Sequence, residues 1–246
     1  MGGKINPKLL AIAVALVVAL GAYGAYAFQR QALAKDLLLT AADADTASPR
    51  LVKYAMQVGD RVIANECARC HGAALKGNPA VGAPDLTDKV WLYDQGNVSD
   101  IERTVLYGIR SGHAKARNIT DMPAVGRLGV LKPAEIYDVV QYVRQLSRQP
   151  HDEKAAVRGY ALFKDKGNCF DCHAPDGTGN PDYGSTDFTA NTWAWGGDYV
   201  TLFKTVRDGR HGLMPAFIDT LSAAEIRAVA VDVYERSHKP QQVASN

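Results

Sequence analysis

The chain has little of what most often betrays a protein's business. Its 246 residues include only four cysteines and four methionines, and its formal charge is +2, from 28 basic and 26 acidic residues. Four cysteines are too few for a disulfide framework at this length. A near-neutral balance without long single-sign runs leaves no basic stripe for a nucleic acid. No segment alternates apolar and polar residues convincingly, so strands are not expected. What remains is an ordinary globular composition, 47% apolar and 22% charged, which excludes disorder and suffices for two domains of ordinary size.

One long apolar run is present. Leu9 to Phe28 reads LLAIAVALVVALGAYGAYAF, twenty residues without a charge. As a helix it rises about 30 Å, the thickness of a bilayer core, and it has no polar face to lay on a soluble domain. Lys4 and Lys8 precede it, while Arg30, Lys35 and Asp36 follow. That modest bias places the start in the cytoplasm and everything after Phe28 across the membrane. Ala25-Tyr26-Ala27 also has the small-x-small form of an export cleavage site, and either reading exports the rest. The expectation is a retained anchor over 1–28, then a helical stalk over 29–53 that ends in the turn Thr46-Ala47-Ser48-Pro49.

Beyond the stalk the chain repeats itself. Cys67-Ala68-Arg69-Cys70-His71 recurs as Cys169-Phe170-Asp171-Cys172-His173, Trp91-Leu92-Tyr93 as Trp193-Ala194-Trp195, and Met122-Pro123-Ala124 as Met214-Pro215-Ala216. Leu131 to Ile136 likewise pairs with Leu221 to Ile226, each opening a segment with apolar residues at helical spacing, such as Ile136, Val139, Val140 and Val143. Each repeat is expected to open with a helix (52–65 and 155–165), carry its Cys pair where that helix ends, pass through Gly- and Pro-rich loops, and close with a helix. The expected fold class is all-α, with two tandem domains over 54–147 and 155–239 and a polar hinge over 148–154. Domains so small and so rich in loops need an internal scaffold, which a large apolar cofactor would supply.

Cys-x-x-Cys-His is the attachment signature of c-type haem. Two thiols on one helical turn can reach two porphyrin vinyl groups, and the adjacent histidine can bind the iron. Two copies in matching contexts behind an export helix make the signal strong. A zinc ribbon would need the pairs about 15–20 residues apart, and Cys70 and Cys169 are far more widely separated. A thioredoxin-like dithiol would need a βαβ setting and no histidine. A disulfide across so short a loop would stabilise little. Cys67, Cys70, Cys169 and Cys172 are therefore the expected attachment points of two covalently bound haems c, with His71 and His173 on the iron.

The opposite axial ligand is expected downstream within each domain. A methionine is usually core filler. Met122 and Met214, each before Pro-Ala at the equivalent place, suit the His/Met precedent of cytochromes c. His113 and His211 compete, His113 because the first repeat runs fourteen positions from Gly108 to Met122 where the second runs five from Gly209 to Met214. His151 and His238 fall in a linker and a tail. Trp91, Tyr93, Trp193 and Trp195 are expected to wall the haem pockets, and an indole N–H could bind a haem propionate. Arg110 and Arg207 are candidate propionate partners.

These segments, together with Tyr23-Gly24-Ala25-Tyr26-Ala27, Gly82-Ala83-Pro84-Asp85-Leu86-Thr87-Asp88 and Gly108-Ile109-Arg110-Ser111-Gly112-His113, closely resemble the dihaem cytochrome c subunit of cbb3-type cytochrome c oxidases, the CcoP/FixP family. The second repeat departs from it at Asn180 to Phe188, where a plainer Gly-x-Pro-x-Leu loop is expected. The resemblance implies two covalent haems at the four cysteines and axial ligation by His71, Met122, His173 and Met214. It also implies a single-pass protein of the bacterial inner membrane with its haem domains on the periplasmic side. Its partners would be a cytochrome c donor, a monohaem cytochrome c subunit and the haem–copper catalytic subunit that reduces O2 to water, with no O2-reducing site in this chain. Two other classes compete: a membrane-anchored carrier for another dehydrogenase or reductase, and a dihaem peroxidase, which would need a labile iron position.

Overall fold

A computed structural model describes residues 6–118 and 120–238. The first residues of the expected anchor, Lys4 among them, and Lys239 at the end of the expected second domain lie outside that range. Among the described residues the secondary structure is helical, with isolated β-bridges and no extended strand.

Helix α1 runs unbroken over Pro7–Leu39, about 50 Å long. The expected anchor and most of the expected stalk are thus one rod, because no Gly-Pro break separates them and Asn6 caps the start through Lys8 N–H at 3.0 Å. The apolar part lies bare along its whole length. Its far end does not: Leu37 is buried, and Leu33 and Ala34 pack beside it. A 3₁₀ turn over Ala42–Ala47 then leads to α2, Pro49–Val62, which starts earlier than expected because Pro49 is preorganised for the first helical turn. From α2 the chain widens into a π turn, Ile63–Cys67, and tightens again into α3, Ala68–His71.

Two helices went unread in the sequence. Val98–Tyr107 (α4) and Tyr199–Asp208 (α8) occupy stretches expected to be loop. Their signals are short: Asp100 reaches back to the Asn97 N–H at 3.2 Å, Asp198 caps Thr201 N–H at 3.0 Å, and each helix ends at a glycine with φ of +71°. The remaining helices are α5 (Pro133–Leu146), α6 (Glu153–Lys164), α7 (Phe170–His173) and α9 (Ala223–His238).

The cores do not follow chain order. In one unit, here called proximal because the end of α1 packs on it, α2 and α4 pack against α9 from the other end of the chain. In the distal unit α5 packs against α6 and α8. Each repeat therefore gives its closing helix to the other repeat's core. The polar stretch expected as a hinge connects α5 to α6, which pack on each other. Val139, Val140 and Phe163 are buried in one core and Val229, Val231 and Ile226 in the other, each side chain contributing about 1.5–3 kcal/mol.

Close approach at both helix crossings requires glycine. A Cβ on Gly59 of α2 would stand 2.5 Å from Asp232 Oδ2 of α9, and one on Gly159 of α6 would stand 2.0 Å from the Asp138 carbonyl oxygen of α5. The proximal unit is also locked to the rod. Arg227 of α9 donates from Nη1 to the carbonyls of Leu37 (3.2 Å) and Thr40 (3.1 Å) and to the buried Asp45 (3.1 Å), while its Nε lies 3.0 Å from Glu102. The free carbonyls at the end of α1 thus find their donor in a residue almost two hundred positions away.

Candidate haem sites

The exchange is sealed by two short backbone ladders related by the internal repeat. Ile109 and Met214 exchange N–H···O bonds of 3.0 Å in both directions, and Arg210 and Met122 do the same at 3.1 and 3.2 Å. The turn before each ladder tolerates no side chain: a Cβ on Gly108 would lie 2.4 Å from the Met214 oxygen, and one on Gly209 would lie 2.4 Å from the Met122 oxygen. Both glycines also hold a φ that L-residues rarely adopt. Aromatic plugs complete the seam. Tyr93 packs on Gly184 and Trp195 on Gly82, equivalent loop positions that only glycine leaves open.

This connectivity decides which expected site residues meet. Met214 packs with Cys67 and Trp91 against the proximal core, and Met122 packs with Cys169, Phe170 and Trp193 against the distal core. The sequence reading placed each methionine in the unit of its own repeat; the packing places it in the other. Met56 lines a shallow groove on α2 with Thr46, Val52 and Asp60, away from either cysteine pair.

Each histidine of the paired motifs is oriented in the same way. His71 Nδ1 lies 3.0 Å from the Pro84 carbonyl and His173 Nδ1 lies 3.2 Å from that of Thr186. A carbonyl only accepts, so Nδ1 carries the proton and Nε2 keeps a free lone pair. Burial pushes both imidazoles below their ordinary pKa, against the opposing effect of those bonds, which keeps them neutral and fit to ligate. His173 is further fixed by stacking on Phe188 at 4.5 Å.

All four cysteines are unpaired. Burial pushes the thiols of Cys67 and Cys169 up to about 11, the reverse of the lowered value that a redox dithiol needs. Among the described residues no three His, Cys, Asp or Glu side chains converge as metal ligands, so the two pairs do not combine into one zinc site. The donors that are present fit a haem c: two thiols, a neutral imidazole and a thioether on each core. In the proximal unit the indole N–H of Trp91 is in addition buried without a partner, as suits a donor awaiting a carboxylate. Its counterpart Trp193 instead donates to Asn191 Oδ1 at 2.8 Å.

Other expected residues are engaged elsewhere. His113 stacks on Tyr107 at 4.9 Å and its Nδ1 accepts from Lys115 N–H at 3.0 Å, so it organises its own loop. His211 pairs with Asp121 at 2.8 Å on the surface. Arg110 is held by the carbonyls of Gly212 and Thr120 and by Asp121, and Arg207 pairs with the neighbouring Asp208. Arg117 and Arg210 also lie at the seam, and the sequence reading gave neither a role at the haem. Their signal was the threonine four residues before each helix-ending glycine.

Paired Cys-x-x-Cys-His motifs on small helical cores, each facing a methionine, define a two-domain c-type cytochrome. A family model described as "Cytochrome c" matches residues 56–147, and one described as "Cytochrome C oxidase, cbb3-type, subunit III" matches residues 154–231. The chain is 38% identical over 210 residues to the Cbb3-type cytochrome c oxidase subunit CcoP of Cereibacter sphaeroides, an alignment covering 85% of this chain and 71% of that protein. It is 41% identical over 202 residues to subunit FixP of Bradyrhizobium sp. strain ORS 278, covering 80% and 67%, and 38% identical over 217 residues to CcoP of Rhodobacter capsulatus, covering 85% and 71%. The chain belongs to the CcoP/FixP family, the electron-transferring cytochrome c subunit of cbb3-type oxidases.

Proposed function

We propose that the chain carries two haems c on exchanged ligand sets. Cys67 and Cys70 would hold the proximal haem, with His71 and Met214 binding its iron. Cys169 and Cys172 would hold the distal haem, with His173 and Met122. The observation that carries this reading is the gathering of one cysteine pair and the other repeat's methionine on each core. When bound, haem c supplies a one-electron ferric/ferrous couple. The chain's own part is to hold the imidazole tautomer through Pro84 and Thr186, to present a thioether that favours ferrous iron, and to exclude water with Trp91, Phe188 and Trp193. Two methionines so placed leave no open iron position of the kind a peroxidase uses.

The subunit receives single electrons from a cytochrome c donor and delivers them, through the monohaem subunit, to the haem–copper subunit that reduces O2. Helix α1 crosses the bacterial inner membrane, and the haem units stand on the periplasmic side. This topology is supported by the bare, uncharged apolar run of α1 and by membership of the CcoP/FixP family. Purification from membranes tests it: the chain should copurify with a further haem c, b-type haem and copper, and two covalent haems should stain on the chain itself. A chain that purifies alone, with full haem and no oxidase activity, would instead be a carrier for another respiratory enzyme.

A further inference from the structure

Two arginines occupy matching places in the two units without occupying matching places in the repeat. Arg210 directly follows Gly209, in register with Ile109. Arg117 belongs to the nine residues by which the first repeat is longer. That insertion folds back along the ladder: the Arg117 N–H donates to the Gly108 carbonyl at 3.1 Å, and the Arg110 N–H donates to the Arg117 carbonyl at 3.0 Å. From there Arg117 Nε reaches Thr104 Oγ1 at 3.0 Å, and its guanidinium lies 5.0 Å from the ring centre of Tyr93. Arg210 Nε reaches Thr205 Oγ1 at 2.8 Å, and its guanidinium lies 4.6 Å from the ring centre of Trp195. Tyr93 and Trp195 are equivalent in the repeat, as are Thr104 and Thr205. One cation placement is thus reached by two different routes along the chain.

The two cations differ in what neutralises them. Arg117, only 9% exposed, is paired with Asp94. Among the described residues no carboxylate lies within ion-pair distance of Arg210; Asp208, already paired with Arg127 and Arg207, acts on it only at longer range, and burial pushes the Arg210 pKa down. A half-buried guanidinium fixed on an aromatic face, with its planar fork free, is a ready partner for a carboxylate. Haem c brings two carboxylates into each unit, and the unpartnered Trp91 N–H offers one of them a second donor in the proximal unit.

We propose that Arg117 and Arg210 are equivalent positioning residues for the haem carboxylates, and that Asp94 neutralises the first alone, so that the distal haem sits in the more positive field. A positive field favours the reduced iron, so Arg210 raises the distal potential while Asp94 holds the proximal one down. This rests on the haem sites proposed above and adds a built-in asymmetry between them.

Optical redox titration of the full chain in its membrane complex tests the proposal. In Arg210→Gln the reduced-to-oxidised ratio of one haem at fixed ambient potential should fall about three- to tenfold, the effect of one partly screened charge. In Asp94→Asn the same ratio should rise for the other haem. The double variant Arg117→Gln/Asp94→Asn removes a neutral pair and should shift the ratio less than about twofold. Arg210→Lys keeps the charge and should recover most of the loss; if the glutamine variant loses haem, the rise in Asp94→Asn and its cancellation by Arg117→Gln carry the test. Shifts of the same haem in Asp94→Asn and Arg210→Gln, shifts in the same direction, or none in either overturn the proposal. Covalent haem staining and the red charge-transfer band of methionine-ligated ferric iron, recorded on the unsubstituted chain, report the underlying haem sites separately.

Discussion

The proximal and distal units share a plan and differ in what surrounds it. The proximal unit is mounted on the α1 rod through Leu37 and Arg227, carries the inserted loop, holds an ion pair between Arg117 and Asp94, and leaves the Trp91 N–H unpaired. The distal unit touches no part of the rod among the principal helix contacts, has a minimal turn at Gly209, and satisfies Trp193 locally. Duplication supplied one haem scaffold twice, and the exchange of closing segments made the two copies interdependent. The differences between them have gathered at the seam and at the attachment to α1, where electrostatics and orientation can be adjusted without disturbing either core.

Interdependence makes the largest prediction. Gly209→Val puts a side chain into backbone 2.4 Å away at a φ of +71° and should cost about 3 kcal/mol or more. Because that ladder carries Met122 of the distal site and leads on to Met214 of the proximal one, both haems should lose their methionine band together. Loss confined to one haem would show that the units respond separately.

A smaller effect separates the two helix crossings. Alanine at Gly159 meets the backbone oxygen of Asp138, whereas alanine at Gly59 meets the side chain of Asp232, which can turn aside. Thermal unfolding should show Gly159→Ala to be more destabilising, about 2–3 kcal/mol against about 1–2 kcal/mol. Equal losses would mean that Asp232 is as rigid as backbone.

Asp232 supplies the smallest. It stands where the distal unit has Tyr142. Burial raises its carboxyl to about 6, against the lowering effect of Arg236. A carboxyl whose folded pKa lies above its unfolded value of about 4 binds more protons when folded. Its contribution is therefore full below about pH 4 and is lost as pH rises through about 6. Asp232→Asn should flatten the pH dependence of unfolding over that window by about 1 kcal/mol per pH unit, and Tyr142→Phe should not. A slope unchanged by Asp232→Asn would place the carboxyl near its ordinary value.

Much of this was legible in the sequence because it is local. Cys-x-x-Cys-His is a contiguous motif, the apolar length of α1 is a compositional run, and α5 and α9 show helical periodicity. Helices α4 and α8 were hidden because each is only ten residues long and buries few side chains, Val98, Ile101 and Val105 in one and Leu202 and Val206 in the other, while the Asn97, Asp198 and glycine stops look like turn chemistry. The partnership of each methionine was illegible for a different reason. A repeat of identical order is satisfied equally by a methionine closing its own unit or its neighbour's, and only the packing of α9 on α2 and α5 on α6 breaks the tie. Arg117 was obscured because an insertion took it out of register with Arg210.

Ligand exchange itself can be read by marking one haem. Cys70→Ala leaves the proximal haem with a single thioether and one conjugated vinyl group, which moves its reduced α-band away from that of the distal haem. Met214→Leu and Met122→Leu are then titrated in that background. Exchanged ligation requires Met214→Leu to lower the potential of the displaced band and Met122→Leu to lower that of the undisplaced one, each by removing the thioether's preference for ferrous iron. If Met122→Leu instead lowers the potential of the displaced band while Met214→Leu leaves it unchanged, each methionine serves the haem of its own repeat and the ligands are not exchanged.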